Sequence, residues 1–126
     1  MDWKLELVAI PVSDIDRAKS FYADKVGFNL DHDFEVSDDI RFVQLTPHGS
    51  GCSIAIGKGL FDKPVEPGSV QGMQMVVADI EAAHAELTER GVEVSDVQDF
   101  PWGRFVFFAD PDGNGWAVQQ LVRPGG

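Results

Sequence analysis

Residues able to do chemistry are few in this chain, and they are not gathered into a familiar catalytic set. Pro101-Trp102-Gly103-Arg104 sets an indole plane beside a guanidinium with five donors, a pairing that suits a flat or anionic small molecule. The alternative is a surface hairpin with Trp102 packed on the edge of the core. Gln74 and Gln119 add two amides, and Phe100 and Phe61 add rings, Phe61 as an anchor or part of a lid. Histidines stand at 32, 48 and 84 with no shared spacing, and only His48, next to a Gly/Pro turn, suggests acid/base work. Cys52 is alone in small apolar surroundings, so it reads as filler and can make neither an intramolecular disulfide nor a cysteine zinc cluster. Asp110-x-Asp112-x-Asn114-Gly115 opens like a calcium loop, but its twelfth position is Leu121 and it runs into a strand. A structural turn, with Asp110 and Asn114 bonding backbone groups, is the expected role. Nucleophile elbow, phosphate loop and dinucleotide fingerprint are all missing.

The elements that must position these residues come in two copies. Thr46-Pro47-His48-Gly49-Ser50-Gly51 recurs as Asp110-Pro111-Asp112-Gly113-Asn114-Gly115, with Ile54 matched by Val118, and Val8 to Ile15 recurs as Met73 to Ile80. In the first copy, Leu5 to Val12 alternates, sending Val8, Ile10 and Val12 one way and Leu7, Ala9 and Pro11 the other. A helix follows from Ser13-Asp14, where Asp14 is a candidate N-cap and Ser13 with Asp16 fits a capping box. It carries Ile15, Ala18, Phe21, Tyr22 and Val26 and stops at Gly27. Strands are expected over 28–35, 41–46 and 52–56, giving β-α-β-β-β. The second copy places strands over 73–77, 92–97, 103–109 and 116–121 around a helix capped by Asp79 and closed by Gly91. The expectation is one α+β domain over 1–126, with repeats over about 4–57 and 71–122 and a Gly/Pro-rich linker over 58–70. The Pro124-Gly125-Gly126 tail should be loose.

With 126 residues the whole chain can bury roughly two-thirds of its unfolded surface, whereas each half would be marginal alone. The formal charge of −11 opposes binding to nucleic acid or anionic lipid, and the scattered acidic residues read as a solubilising surface or a bias toward a cationic ligand. Met1 to Glu6 lacks the basic and long apolar regions of a secretion signal, and no run reaches the ~20 apolar residues of a membrane span. A cytoplasmic location is the expectation.

Val12-Ser13-Asp14 with Ala18, Phe21-Tyr22 and Gly27-Phe28, the second Val77-Ala78-Asp79, Gly91-Val92, and Phe107-Phe108-Ala109-Asp110-Pro111-Asp112-Gly113-Asn114 together resemble the vicinal oxygen chelate superfamily. That group includes glyoxalases, extradiol dioxygenases and the bleomycin-resistance proteins. The resemblance covers nearly the whole chain and implies two tandem βαβββ modules forming a curved mixed sheet around a cavity, commonly in a homodimer. These motifs are caps and turns, so they carry architecture more than chemistry.

In enzymatic members, the resemblance implies a metal ligand seven residues before each capping aspartate and another on the strand after each Gly-Asn-type turn. A divalent transition metal held there would act as a Lewis acid. Here those slots hold Leu7, Gly72, Ser53 or Ala55, and Ala117 or Gln119. Shifting the register to bring in Glu6 would turn Val8, Ile10 and Val12 away from the helix. The reading that follows is a metal-independent protein, with no cofactor, binding a small organic molecule in an apolar cavity lined by Leu7, Ala9, Gln74, Trp102, Arg104 and Gln119. Leu5, Gly72, Val76 and Ala117 fall on the same side of the strands. Alternatives are a metal-dependent lyase or dioxygenase with unconventional ligands, a metal-free isomerase or cyclase using Arg104, His48 or Glu6, and a ligand-free dimeric scaffold.

Overall fold

The computed structural model describes residues 1–122; the tail at Pro124–Gly126 lies outside the described residues. The chain folds as β1 (Leu7–Ala9), α1 (Ile15–Ser20), β2 (Asn29–Ser37), β3 (Ile40–Thr46) and β4 (Ser53–Lys58). The plan then repeats as β5 (Met73–Val76), α2 (Ile80–Glu89), β6 (Gln98–Phe100), β7 (Gly103–Ala109) and β8 (Gly115–Leu121). Each βαβββ module makes its own four-stranded sheet, ordered β1-β4-β3-β2 and β5-β8-β7-β6. Within each, the first strand runs parallel to the last and the other pairs are antiparallel.

Local chemistry accounts for the helices. Asp14 and Asp79 sit in extended backbone and accept N–H groups from the first turns, from Arg17 in one case and from Glu81 and Ala82 in the other. Past Ser20, α1 widens into a π-helical stretch, Phe21–Val26, which Gly27 ends at φ 91° in the left-handed region. Ser13 does not complete a capping box. Its hydroxyl and N–H both donate to the Asp112 carboxylate, at 2.5 and 3.1 Å, tying the start of α1 to the turn of the other module.

One apolar cluster serves both sheets. Ile10, Val43, Leu45, Ile54 and Ile56 from the first sheet join Val106, Phe108, Trp116 and Val118 from the second, with Ala18, Tyr22, Ile80 and Leu87 from the helical segments. The helix-bearing faces therefore turn toward each other and the opposite faces point outward. β1 and β5 each have a strand partner on one side only, so the two sheets are not joined edge to edge within the chain.

The expected strand over 92–97 is corrected: the ladder forms at Gln98–Phe100 instead. Val92 is buried and Val94 and Val97 pack on the core, so the apolar spacing there reports packing. Ser95 alone ties the segment to β7, its N–H donating to the Phe107 carbonyl at 2.9 Å and its hydroxyl accepting from the Phe107 N–H at 2.9 Å. No helix among the described residues is long and apolar enough to cross a membrane.

Candidate functional site

The register of β5-β8-β7-β6 builds the site. Gln74 lies opposite Ala117, Val76 opposite Gln119, Phe107 opposite Ala117 and Phe105 opposite Gln119. Because side chains alternate, these all stand on the outer face of the second sheet. Gln98 and Phe100 join them through their pairing with Phe105 and Gly103. Four rings make a continuous strip. Phe107 stacks on Phe105 at 5.9 Å, Phe105 meets Phe100 edge-on at 5.4 Å, and Phe100 stacks on Trp102 at 5.4 Å. Beside the strip, Gln119 donates through Nε2 to Gln74 Oε1 at 2.8 Å, leaving the Gln119 carbonyl and the Gln74 amide N–H groups for a ligand. Phe105 is floor, whereas Trp102 is 63% exposed, Val76 62% and Phe107 38%.

Gln74, Gln119 and Trp102 thus lie on one face of the second sheet. Arg104 does not join them. Alternation sends it to the helix side, where its guanidinium donates to Asp99 at 2.7 Å and Glu81 at 3.4 Å, the Asp99 bond foremost in holding its pKa above the usual value. Leu7 and Ala9 stand on the outer face of the other sheet, opposite Ser53 and Ala55. They therefore share a face type but not a surface with Gln74 and Gln119. His48 is exposed at the rim of a cleft between the modules, apart from Arg104. Phe61 is a partly exposed linker residue.

Two features escaped sequence reading. Phe105 and Phe107 sit in a run of alternating aromatic and aliphatic residues, and only the register against Gln119 and Ala117 tells which of them face outward. On the first sheet, Ser53 donates to Thr46 at 2.6 Å, Thr46 donates to the Asp31 carboxylate, and Gln44 donates to Ser53 at 3.3 Å. The Thr46 hydrogen bond leads the causes that lower the Asp31 pKa. This polar patch adjoins the exposed stack of His32 on Phe34 at 5.2 Å. Its members are spread over β2, β3 and β4.

The donor set at the four family metal positions does not fit a divalent transition metal. Leu7 and Gly72 offer no side-chain donor and the Ser53 hydroxyl already bonds Thr46 and Gln44, which leaves the Gln119 carbonyl as a single neutral oxygen where four ligands are needed. Among the described residues no cluster of three or more His, Cys, Asp or Glu side chains could hold a metal ion. Asp110 is occupied structurally, accepting from the Asp112 and Asn114 backbone N–H groups at 3.0 and 2.9 Å and from Asn114 Nδ2 at 2.8 Å.

Comparison with known proteins agrees with this architecture. Residues 4–118 match the family model of the Glyoxalase/Bleomycin resistance protein/Dioxygenase superfamily. The crystal structure of TnmS3, an antibiotic binding protein from Streptomyces sp. CB03234, is 36% identical, with a TM-score of 0.84 over 96% of this chain and 98% of that one. A superfamily member from Sphaerobacter thermophilus DSM 20745 is 31% identical, with a TM-score of 0.81 over 94% of this chain and 98% of that one. The uncharacterized protein YetH of Bacillus subtilis (strain 168) is 29% identical over 117 residues, covering 90% of this chain and 94% of YetH. The chain belongs to the glyoxalase/bleomycin resistance protein/dioxygenase superfamily.

Proposed function

We propose that this protein captures a planar, largely apolar organic molecule on the outer face of its second sheet, without a metal and without transforming it. The observation that carries this reading is the unbroken strip Phe107-Phe105-Phe100-Trp102 beside the Gln74–Gln119 amide pair. Rings supply area at little entropic cost and the amides supply orientation, the usual division of labour in ligand sites. No acid, base or nucleophile stands on this strip, so the chemistry available is binding. The antibiotic-binding relative supports an antibiotic-like molecule as the ligand. A second copy of the chain closes the exposed face, since ligand sites bury most of the ligand.

Equilibrium dialysis against a panel of planar aromatic antibiotics tests this. At least one should bind at micromolar or tighter affinity, be recovered unchanged, and lose about tenfold or more on Phe107→Ala or Trp102→Ala. A panel without a binder, or a binder recovered as a different compound, would overturn the reading. For a cationic ligand, the −11 charge should also make capture slow as salt is added.

A further inference from the structure

The duplication permits an internal comparison, because the junction between the modules occurs twice. At one junction Phe21, Tyr22 and Phe28 meet Phe108 and Trp116, with ring centroids 5.2 to 6.2 Å apart. Tyr22 donates to Asp110 at 2.8 Å, Trp116 donates to Tyr22 at 3.0 Å, and Asn114 Nδ2 donates to the Pro11 carbonyl at 2.8 Å. Everything there is filled.

The opposite junction has the Phe28 ring on one wall and no ring in the places that match Phe21, Tyr22 and Trp116. Leu87 follows Asp79 as Tyr22 follows Asp14, and Glu86 takes the place of Phe21. The facing hairpin is also shorter. The β3–β4 ladder ends at Leu45 opposite Ile54, whereas β7–β8 continues from the matching pair, Val106 opposite Val118, through Phe108 opposite Trp116 to Ala109 opposite Gly115. Ser50, at the place of Asn114, spends its hydroxyl on the backbone of Cys52 and, among the described residues, makes no bond to the other module. What remains is a cleft of about 420 Å³ walled by Val26, Phe28, Met75, Val77, Leu87 and Val118. At its rim Arg90 pairs with Glu86 at 3.1 Å and lies where a β-carbon on Gly27 would collide with it, and His48 also borders the cleft.

We infer that this inter-module cleft is a second binding site, taking a planar aromatic molecule of one or two rings that carries a hydrogen-bond donor, the phenol or indole class. The ligand occupies the space that Tyr22, Phe108 and Trp116 occupy at the other junction, and its donor replaces the missing side-chain donor toward β5. The volume falls within the range of small-molecule sites, and the walls are apolar on both modules. The site is separate from the aromatic strip, although Gln74 and Val76 border both.

Indole and 2-naphthol are the probes, titrated into the full chain carrying 13C-methyl methionine. Of the three methionines, Met1, Met73 and Met75, only Met75 lines the cleft, so its methyl resonance should shift saturably with the probe. Leu87→Tyr restores the absent ring and should weaken indole by about tenfold or more, while leaving capture of a planar antibiotic on the strip unchanged. Phe107→Ala should do the reverse, so failure of one site is distinguishable from failure of the other. If Leu87→Tyr lowers the thermal midpoint sharply, Ala83→Leu fills the same space from the same helix and is read in its place. A Met75 methyl that does not move, or indole affinity lost on Phe107→Ala but kept in both filling variants, would overturn the inference. So would a Met75 shift that follows protein concentration instead of probe, which would make the cleft a contact between copies.

Discussion

The Tyr22 hydroxyl donates to the Asp110 carboxylate at 2.8 Å, joining a helix of the first module to the repeated turn of the second with both residues buried. Burial, then the neighbouring Asp110 charge, push the phenol above its usual pKa, so it stays protonated and able to donate. Tyr22→Phe removes a partner from buried Asp110 and the acceptor of the Trp116 indole N–H. The expected cost is about 2 kcal/mol, read from urea unfolding as a lower midpoint with an unchanged slope. An unchanged midpoint would show that water replaces the phenol without penalty.

Asp33 gives the pH dependence. Its carboxylate accepts from Arg41 Nε at 3.0 Å and Nη2 at 2.9 Å and from Lys19 at 2.7 Å. These bonds, Arg41 foremost, hold it well below the usual carboxylate range. A carboxyl whose folded pKa is depressed adds stability above its unfolded pKa and loses it as pH falls toward the folded one. The loss should therefore set in below about pH 4. Asp33→Asn should cost about 1 kcal/mol at pH 7, a modest figure because the network is partly exposed. The gap to wild type should close on acidification; a gap independent of pH would assign the effect to packing.

The sequence revealed the repeat, both N-caps and the outward parity of Gln74 and Gln119, because each depends on neighbours within one strand or turn. It did not reveal that Arg104 leaves the strip. Trp102 and Arg104 are close in sequence, but Gly103 and Arg104 start a strand, and alternation separates Arg104 from the face that Trp102 reaches by stacking on Phe100. Phe105 and Phe107 were hidden for the converse reason. Val106 and Phe108 are equally apolar, and only cross-strand register distinguishes wall from core. The Thr46–Ser53–Gln44 patch and the inter-module cleft depend on ladder lengths, which hydrophobic periodicity does not encode.

Metal addition tests the donor-set argument. A ligand that binds only the folded state raises its midpoint by mass action. Metal-stripped protein should show no saturable rise with nickel, manganese, iron(II) or zinc, given Leu7 and Gly72 at two of the four positions. A rise abolished by Gln119→Ala would instead restore a metalloenzyme reading.

Val76 tests whether a second copy closes the strip. It is 62% exposed on β5, whose outer edge has no strand partner, and it shares an open face with Trp102, Phe107 and Leu121 at 63%, 38% and 47%. Exposed apolar side chains on one sheet face, next to an unpaired strand edge, are the kind of surface that proteins cover with a partner. Sedimentation should give a mass twice that of the chain at micromolar concentration, and Val76→Lys should return it to one chain. The side chain points to solvent, so the thermal stability of the lone chain should change by no more than about 0.5 kcal/mol. Antibiotic affinity measured on the same variant then separates two arrangements. Affinity lost together with the dimer means that the partner supplies the second wall of the site. Affinity retained in the single chain means that the four rings and two amides suffice, and a wild-type chain that sediments as a monomer would remove the partner from the proposal altogether.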